Sequence, residues 1–298
     1  MKEPPNKKIK AKEKVMKGKL YLCPTPIGNL DDITLRTIKT LESVDLIAAE
    51  DTRVSMKLLN HLGIKKPITS YYEHNKKEKG AHLIEKLLDG CNIAVVTDAG
   101  MPGISDPGED IVMLCVQNEI KVEALPGPCA FSTALVASGL PTGRFTFEGF
   151  LSVNKKSRRD HLLSLKNETR TMIFYEAPHK LKATLADMLE TFGGERQITA
   201  AREITKKYEE YIRTTLEGAV EHFENNPPKG EFVLIIKGAD PEEIKEKHRA
   251  DLPDAETVIL KLINDGMKGK ELSRTASEIL GISKNEAYSL YLKIKAEQ

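Results

Sequence analysis

An apolar run ends in "AAEDTR", which places Glu50, Asp51 and Arg53 at the exit of a buried segment. Carboxylates there can take a proton from a weak nucleophile such as a hydroxyl, an assistance of roughly 10²–10⁴-fold. Arg53 can pair with a carboxylate or hold a phosphate. The same three residues equally suit a structural ion network, with Asp51 capping the next helix. Glu176 and His179 in "FYEAPHK" form a second candidate acid–base pair. His179 also fits a plain helix start after Pro178.

A different chemistry is written in "TDAGMPGISDPG", residues 97–108, which follows the apolar "NIAVV". Three glycines and two prolines make it poor in side chains and rich in accessible main chain. Asp106, Pro107 and Glu109 together read as a helix start, with Asp106 as the cap. The "TDAGMPG" portion is longer than a strand-to-helix turn needs. Main chain exposed there is where open α/β sheets bind ligands. The loop has no Lys or Arg and carries Asp98 and Asp106, so it repels phosphate and suits hydroxyls, amines or a cation. It lacks both the phosphate-loop lysine and the G-x-G-x-x-G fingerprint. A nucleoside-like ligand without phosphate fits, and S-adenosylmethionine is one. Two other strand exits, "LCPTPIGNLDDIT" and "ALPGPCAFSTAL", share the Pro/Gly style. Three such exits on one sheet edge imply one large cleft.

The elements that position these loops alternate. From Lys19 to Ser138, short apolar strands and amphipathic helices take turns, which predicts a mainly parallel sheet covered on both faces. Asp31 or Asp32 is the expected cap of the first helix, and a helix is expected from Pro107 to about Asn118. "SGLPTGRFTFEGF" reads as a hinge. Strands and helices resume over 139–240, with "QITAARE" and "EEYIRTT" as a hairpin, so a mixed sheet is expected. Residues 252–298 turn helical, and "LGISK" between two short helices resembles a helix-turn-helix. The expected fold class is therefore α/β: two α/β domains, 19–138 and 139–240, with the cofactor cleft between them, plus a small C-terminal helical extension. Residues 1–18 read as a disordered basic tail.

Composition narrows the function classes. The chain has 298 residues, 40% hydrophobic and 30% charged, with a net charge of +1, so overall charge demands no polyanion. No apolar run reaches membrane-span length and no secretory signal is present, which points to the cytoplasm. The four cysteines form no Cys-x-x-Cys pair and the seven histidines no His-Glu-x-x-His, so nothing in the sequence supports a metal site.

In order along the chain, "PTPIGNLDDIT", "AAEDTR", "TDAGMPGISDPG", "ALPGPCAFSTALVASGLP", "FEGFL", "FYEAPHK" and "GEFVLIIKG" closely resemble the ribosomal RNA small subunit methyltransferase I family. That family belongs to the tetrapyrrole (corrin/porphyrin) methylase superfamily. The resemblance runs from Lys19 to about Ala239. It implies S-adenosylmethionine bound between two α/β domains, in a homodimer. It implies 2′-O-methylation of a cytidine ribose in the decoding region of 16S rRNA, within the small ribosomal subunit. Carried over by motif, the cofactor contacts are Pro26, Asp98, Ala99, Gly100, Gly103, Ile104, Ser105, Cys129, Ala130 and Tyr175. The first loop, "PTPIGNLDD", departs from the glycine-rich loop of porphyrin methylases and favours the RNA-modifying branch.

An RNA surface is the remaining expectation. "NKKSRRD" brings Lys155, Lys156, Arg158 and Arg159 together beside the expected cleft, where they can meet phosphates. An exposed helix face would read the same way. Two rival functions stay open at this point: a small-molecule methylase of tetrapyrrole type, and a non-catalytic RNA adaptor using the helical tail.

Overall fold

A computed structural model describes residues 16–244 and 254–297. Most of the expected basic tail therefore lies outside the described residues. Its last residues are ordered: Gly18 donates its N–H to the Leu87 carbonyl at 2.8 Å. A Cβ on Gly18 would overlap the Cys91 carbonyl, so only glycine admits this entry into the first strand.

The first unit alternates strictly. In chain order it holds β1 (Lys19–Leu22), α1 (Leu35–Ser43), β2 (Leu46–Ala49), α2 (Thr52–His61), β3 (Ile68–Ser70), α3 (Lys76–Leu88), β4 (Ile93–Val96), α4 (Gly108–Gln117), β5 (Lys121–Ala124) and α5 (Ala130–Ala137). The strands form one parallel sheet in the order β3-β2-β4-β1-β5. All four residues of the central β4 are buried, as a strand covered on both faces requires. Leu20, Leu83, Ile93 and Ile111 build the core on one face; Leu41, Ile47, Leu59 and Val96 build it on the other.

Two helix starts differ from expectation. Thr34, not Asp31 or Asp32, caps α1 by accepting from the Thr37 N–H at 3.1 Å. The two aspartates sit in a single 3-10 turn, Leu30–Asp32, capped by Asn29. Helix α4 begins at Gly108 rather than Pro107, with Pro107 at the cap position and Asp106 accepting from the Gly108 N–H at 2.7 Å.

The second unit holds β6 (Phe145–Phe150), α6 (Lys155–Ser164), β7 (Thr171–Glu176), α7 (Pro178–Phe192), β8 (Gln197–Arg202), β9 (Glu210–Thr215), α8 (Leu216–Asn225) and β10 (Phe232–Ile236). Its sheet is mixed, in the order β6-β7-β10-β8-β9, and only β6 and β7 run parallel. Helices α6, α7 and α8 cover one face. The other face is covered from the first unit: Ala134 and Leu135 of α5 pack on Ile173, Ala201, Val233 and Ile235.

That packing fixes the two sheets relative to each other. The expected hinge is pinned: the Ser138 carbonyl accepts from Thr199 Oγ1 at 2.9 Å and Arg213 Nε at 3.2 Å. Thr171 Oγ1 donates to the Pro141 carbonyl at 2.6 Å. The C-terminal helices α9 (Ala255–Asn264), α10 (Gly269–Leu280) and α11 (Lys284–Glu297) close on their own core of Ile259, Leu272, Ala276 and Ala287. Among the described residues no helix is long and apolar enough to cross a membrane.

Candidate active site

The carboxyl ends of β1, β4 and β5 face the near ends of β7 and β10 across a cavity of about 530 Å³. Each of the three Pro/Gly-rich exits reaches it: Ile27 from the first, residues 97–101 and 104–106 from the second, Cys129 and Ala130 from the third. The first two exits are tied together. Thr25 and Gly100 exchange both main-chain hydrogen bonds, each at 3.0 Å. Thr25 Oγ1 also donates to the Thr97 carbonyl at 3.1 Å.

Gly100 has φ +88° and Gly103 φ +90°, a region that side chains with a Cβ rarely occupy. Asp106 then folds the loop on itself. Its carboxylate accepts from the N–H groups of Gly103 at 2.8 Å, Ile104 at 3.1 Å and Gly108 at 2.7 Å. The amides of Gly103 and Ile104 are thus occupied within the loop. Gly103 itself does not line the cavity, and neither does Pro26. Ile104 still presents its side chain. Ser105 lines the wall in a left-handed conformation, φ +65°, that a non-glycine residue holds only under constraint.

Of the three candidate catalytic residues, only Glu50 lines the cavity. Its Oε2 accepts from the Asp98 N–H at 3.4 Å. Burial is the main influence on the Glu50 carboxyl and pushes it up; the Asp98 N–H opposes this, and the neighbouring aspartates add to the rise. Asp98 in turn accepts from the Asp51 N–H at 3.0 Å, and burial raises its carboxyl too.

Asp51 and Arg53 turn to each other instead. Asp51 caps α2 through the Arg53 N–H at 2.8 Å and receives the guanidinium at 3.1 Å (Nε) and 2.6 Å (Nη2). Those hydrogen bonds hold the Asp51 carboxyl down at about 2. Neither side chain lines the cavity, and the Arg53 guanidinium is largely exposed.

From the second sheet, Tyr175 lines the wall, and its hydroxyl accepts from the Phe131 N–H at 3.3 Å. Burial pushes this phenol up to about 12. Glu176 is 2% exposed and fully engaged: Thr184 Oγ1 at 2.6 Å, Lys180 Nζ at 3.0 Å and the Ala177 N–H at 2.9 Å. It braces the start of α7 while also lining the cavity, and His179 lies in that helix's first turn, outside the lining. Phe150, Ile204, Lys206 and Val233 also line the cavity. None of these belongs to a glycine-rich motif, and sequence reasoning missed them as site residues.

The basic patch is halved. Lys155 and Lys156 are exposed in the first turn of α6. Arg158 is only 7% exposed, with Nε at 2.8 Å and Nη2 at 2.7 Å from Asp187 Oδ2. Arg159 donates to Asp187 Oδ1 at 3.0 Å and also pairs with Glu190. Arg158 lies one turn before the buried Leu162 and shares its inward face, so it is not available to a phosphate.

Comparison with known proteins accounts for this arrangement. Residues 19–220 match the model of the tetrapyrrole (corrin/porphyrin) methylases. Ribosomal RNA small subunit methyltransferase I of Synechocystis sp. is 46% identical over 280 residues, 94% of this chain and 99% of that protein. Its namesake in Bacillus subtilis is 45% identical over 275 residues, 92% of this chain and 94% of the relative. The chain belongs to the ribosomal RNA small subunit methyltransferase I family. Solved structures share the fold. Diphthine synthase aligns with a TM-score of 0.58 at 12% identity, over 74% of this chain and 90% of that one. Uroporphyrin-III C-methyltransferase of Thermus thermophilus, complexed with S-adenosyl homocysteine, aligns at 0.52 and 17%, over 73% and 97%.

Membership of this family makes the protein an S-adenosylmethionine-dependent methyltransferase. The residues present fit that cofactor. Met101, Ile104, Ile204 and Val233 offer apolar walls for a purine, and Asp98 offers acceptors for hydroxyls or an ammonium. Cys129 and Ala130 at the start of α5 complete that wall. Lys206 is already held by Glu203 at 3.0 Å and Glu231 at 2.8 Å. No lining cation is left for a phosphate.

Proposed function

We propose that the protein transfers a methyl group from S-adenosylmethionine to the ribose 2′-hydroxyl of a cytidine in the decoding region of 16S rRNA. The observation that carries the reading is Glu50, the one of the three candidate catalytic residues that lines the same cavity as the cofactor loop. The near full-length likeness to ribosomal RNA small subunit methyltransferases supports RNA as the substrate class. The assembled small subunit, a homodimeric enzyme and a cytoplasmic location complete the proposal and rest on the family resemblance.

Bound S-adenosylmethionine supplies an electrophilic methyl on a good leaving group. Alignment of the acceptor then accounts for much of the acceleration. A neutral ribose hydroxyl is a poor nucleophile. Glu50 uses Oε2 for the Asp98 N–H, and Oε1 can accept the hydroxyl proton. Burial raises the Glu50 carboxyl, which makes it a better base than an ordinary glutamate. Thr25 and Asp106 keep the loop rigid beneath it.

Tritiated S-adenosylmethionine incubated with small subunits, naked 16S rRNA and a porphyrin tests the proposal. Label in a cytidine ribose of the subunit is expected. Label in the porphyrin alone, or binding without transfer to any acceptor, would overturn it.

A further inference from the structure

Strand β6 breaks its own alternation. Phe145 and Phe147 face α5, and regular pleating would put residue 149 on that face and residue 150 on the other. The pairing with β7 slips between Phe147 and Gly149, where Gly149 takes φ +64°. The extra residue returns Phe150 to the face of Phe147. Both rings meet Tyr175, at centroid distances of 5.0 Å and 5.4 Å. A bulge beside a site is a device for re-aiming a side chain.

The re-aimed ring is braced and left open. Lys180 Nζ lies 5.6 Å from the Phe150 centroid. That ammonium is itself held by Glu176 at 3.0 Å and the Leu151 carbonyl at 3.4 Å. Even so, Phe150 is 55% exposed and lines the cavity. A lone exposed phenylalanine is ordinary. One turned toward a cavity by a bulge, and supported by a second ring and a fixed ammonium, offers a flat apolar face to a ligand.

We infer that Phe150 is the stacking platform for the nucleobase of the nucleotide being methylated. This rests on the RNA reading proposed above. A nucleotide whose ribose reaches Glu50 brings its base into the same cavity, and an unstacked base gains most by lying on an aromatic face. Stacking tolerates any base, so Phe150 contributes hold rather than sequence choice.

The test uses the full chain with small ribosomal subunits and tritiated S-adenosylmethionine. Phe150→Leu keeps an apolar side chain but removes the ring. We expect KM for the subunit to rise roughly ten- to a hundredfold, with kcat and cofactor affinity little changed. Phe150→Trp should restore the wild-type KM. The chain contains no tryptophan, so this variant carries a sole indole emitter. Its fluorescence should be quenched by subunits in the presence of S-adenosylhomocysteine, and a Tyr208→Trp control, 64% exposed in the native residue, should not be. Wild-type KM in Phe150→Leu, or an unquenched Phe150→Trp, overturns the platform while leaving subunit methylation standing. Failure of the wild type to label RNA at all removes the substrate reading, and the platform with it.

Discussion

Arg158 separates a structural charge from a ligand-binding one, and it can be tested quantitatively. The guanidinium and Asp187 are 7% and 5% exposed and bond through both Nε and Nη2. Arg158→Met leaves the Asp187 carboxylate buried with only Arg159 beside it. Breaking such a pair from one side costs about 3–5 kcal/mol. At about 2–4 °C per kcal/mol, the midpoint of thermal unfolding should drop by roughly 6–20 °C. Removing both charges, Arg158→Met with Asp187→Leu, should recover most of that loss, since a buried ion pair and a packed apolar pair are often of similar stability. The pair also sets a pH dependence. Burial pushes the Asp187 carboxyl up, but the hydrogen bonds and charges of Arg158 and Arg159 outweigh it, and the net shift is downward. A carboxyl depressed in the folded state stabilises above its unfolded value, and that contribution is lost as pH falls through the folded value. Scanning calorimetry on the single and double variants, beside RNA binding by filter retention, reads both effects. Unchanged stability in Arg158→Met together with weakened RNA binding would refute the assignment.

Four further outcomes are expected. Gly100→Ala forces a Cβ into φ +88° beside Ile27, at a cost of about 1–2 kcal/mol, and calorimetric titration should show weaker cofactor binding. The methylation rate should fall on acidification from a pH above the ordinary glutamate range, because the raised Glu50 must be ionised to act. Glu50→Gln should reduce the rate by roughly 10²–10⁴-fold and remove that limb from the pH profile. Lys155→Ala with Lys156→Ala should lower the salt slope of RNA binding by up to about 2, measured by titration at several ionic strengths.

The parts of this molecule that sequence reveals are the local ones. The Pro/Gly exits after β1, β4 and β5 announce a cleft because glycine angles and proline stops act within a few residues. The alternation of strand and helix identifies the doubly covered sheet, since β4 is apolar at every position. Asp51 as a helix cap is likewise a matter of one turn. Longer-range relations are hidden. Arg158 reads as a surface cation until its partner, Asp187 on α7, is placed against it. Asp106 reads as a helix cap, and it does hold the Gly108 N–H, but its bonds back to Gly103 and Ile104 are not legible. The Lys206 triad joins Glu203 and Glu231, which are 28 positions apart in sequence and adjacent only because β8 and β10 pair. Phe150 depends on a one-residue slip at Gly149 that no periodicity signals.

The space between the two sheets holds the methyl donor. Titration of S-adenosylmethionine into the full chain and into Ala99→Trp, followed by calorimetry, tests it most directly. Ala99 is exposed on the loop and lines the cavity, so the indole fills the space without disturbing a core. One equivalent per wild-type chain, displaced by S-adenosylhomocysteine, and no binding to a variant that melts at the wild-type temperature is the predicted result. No heat from well-folded wild type, or undiminished binding by Ala99→Trp, would contradict it.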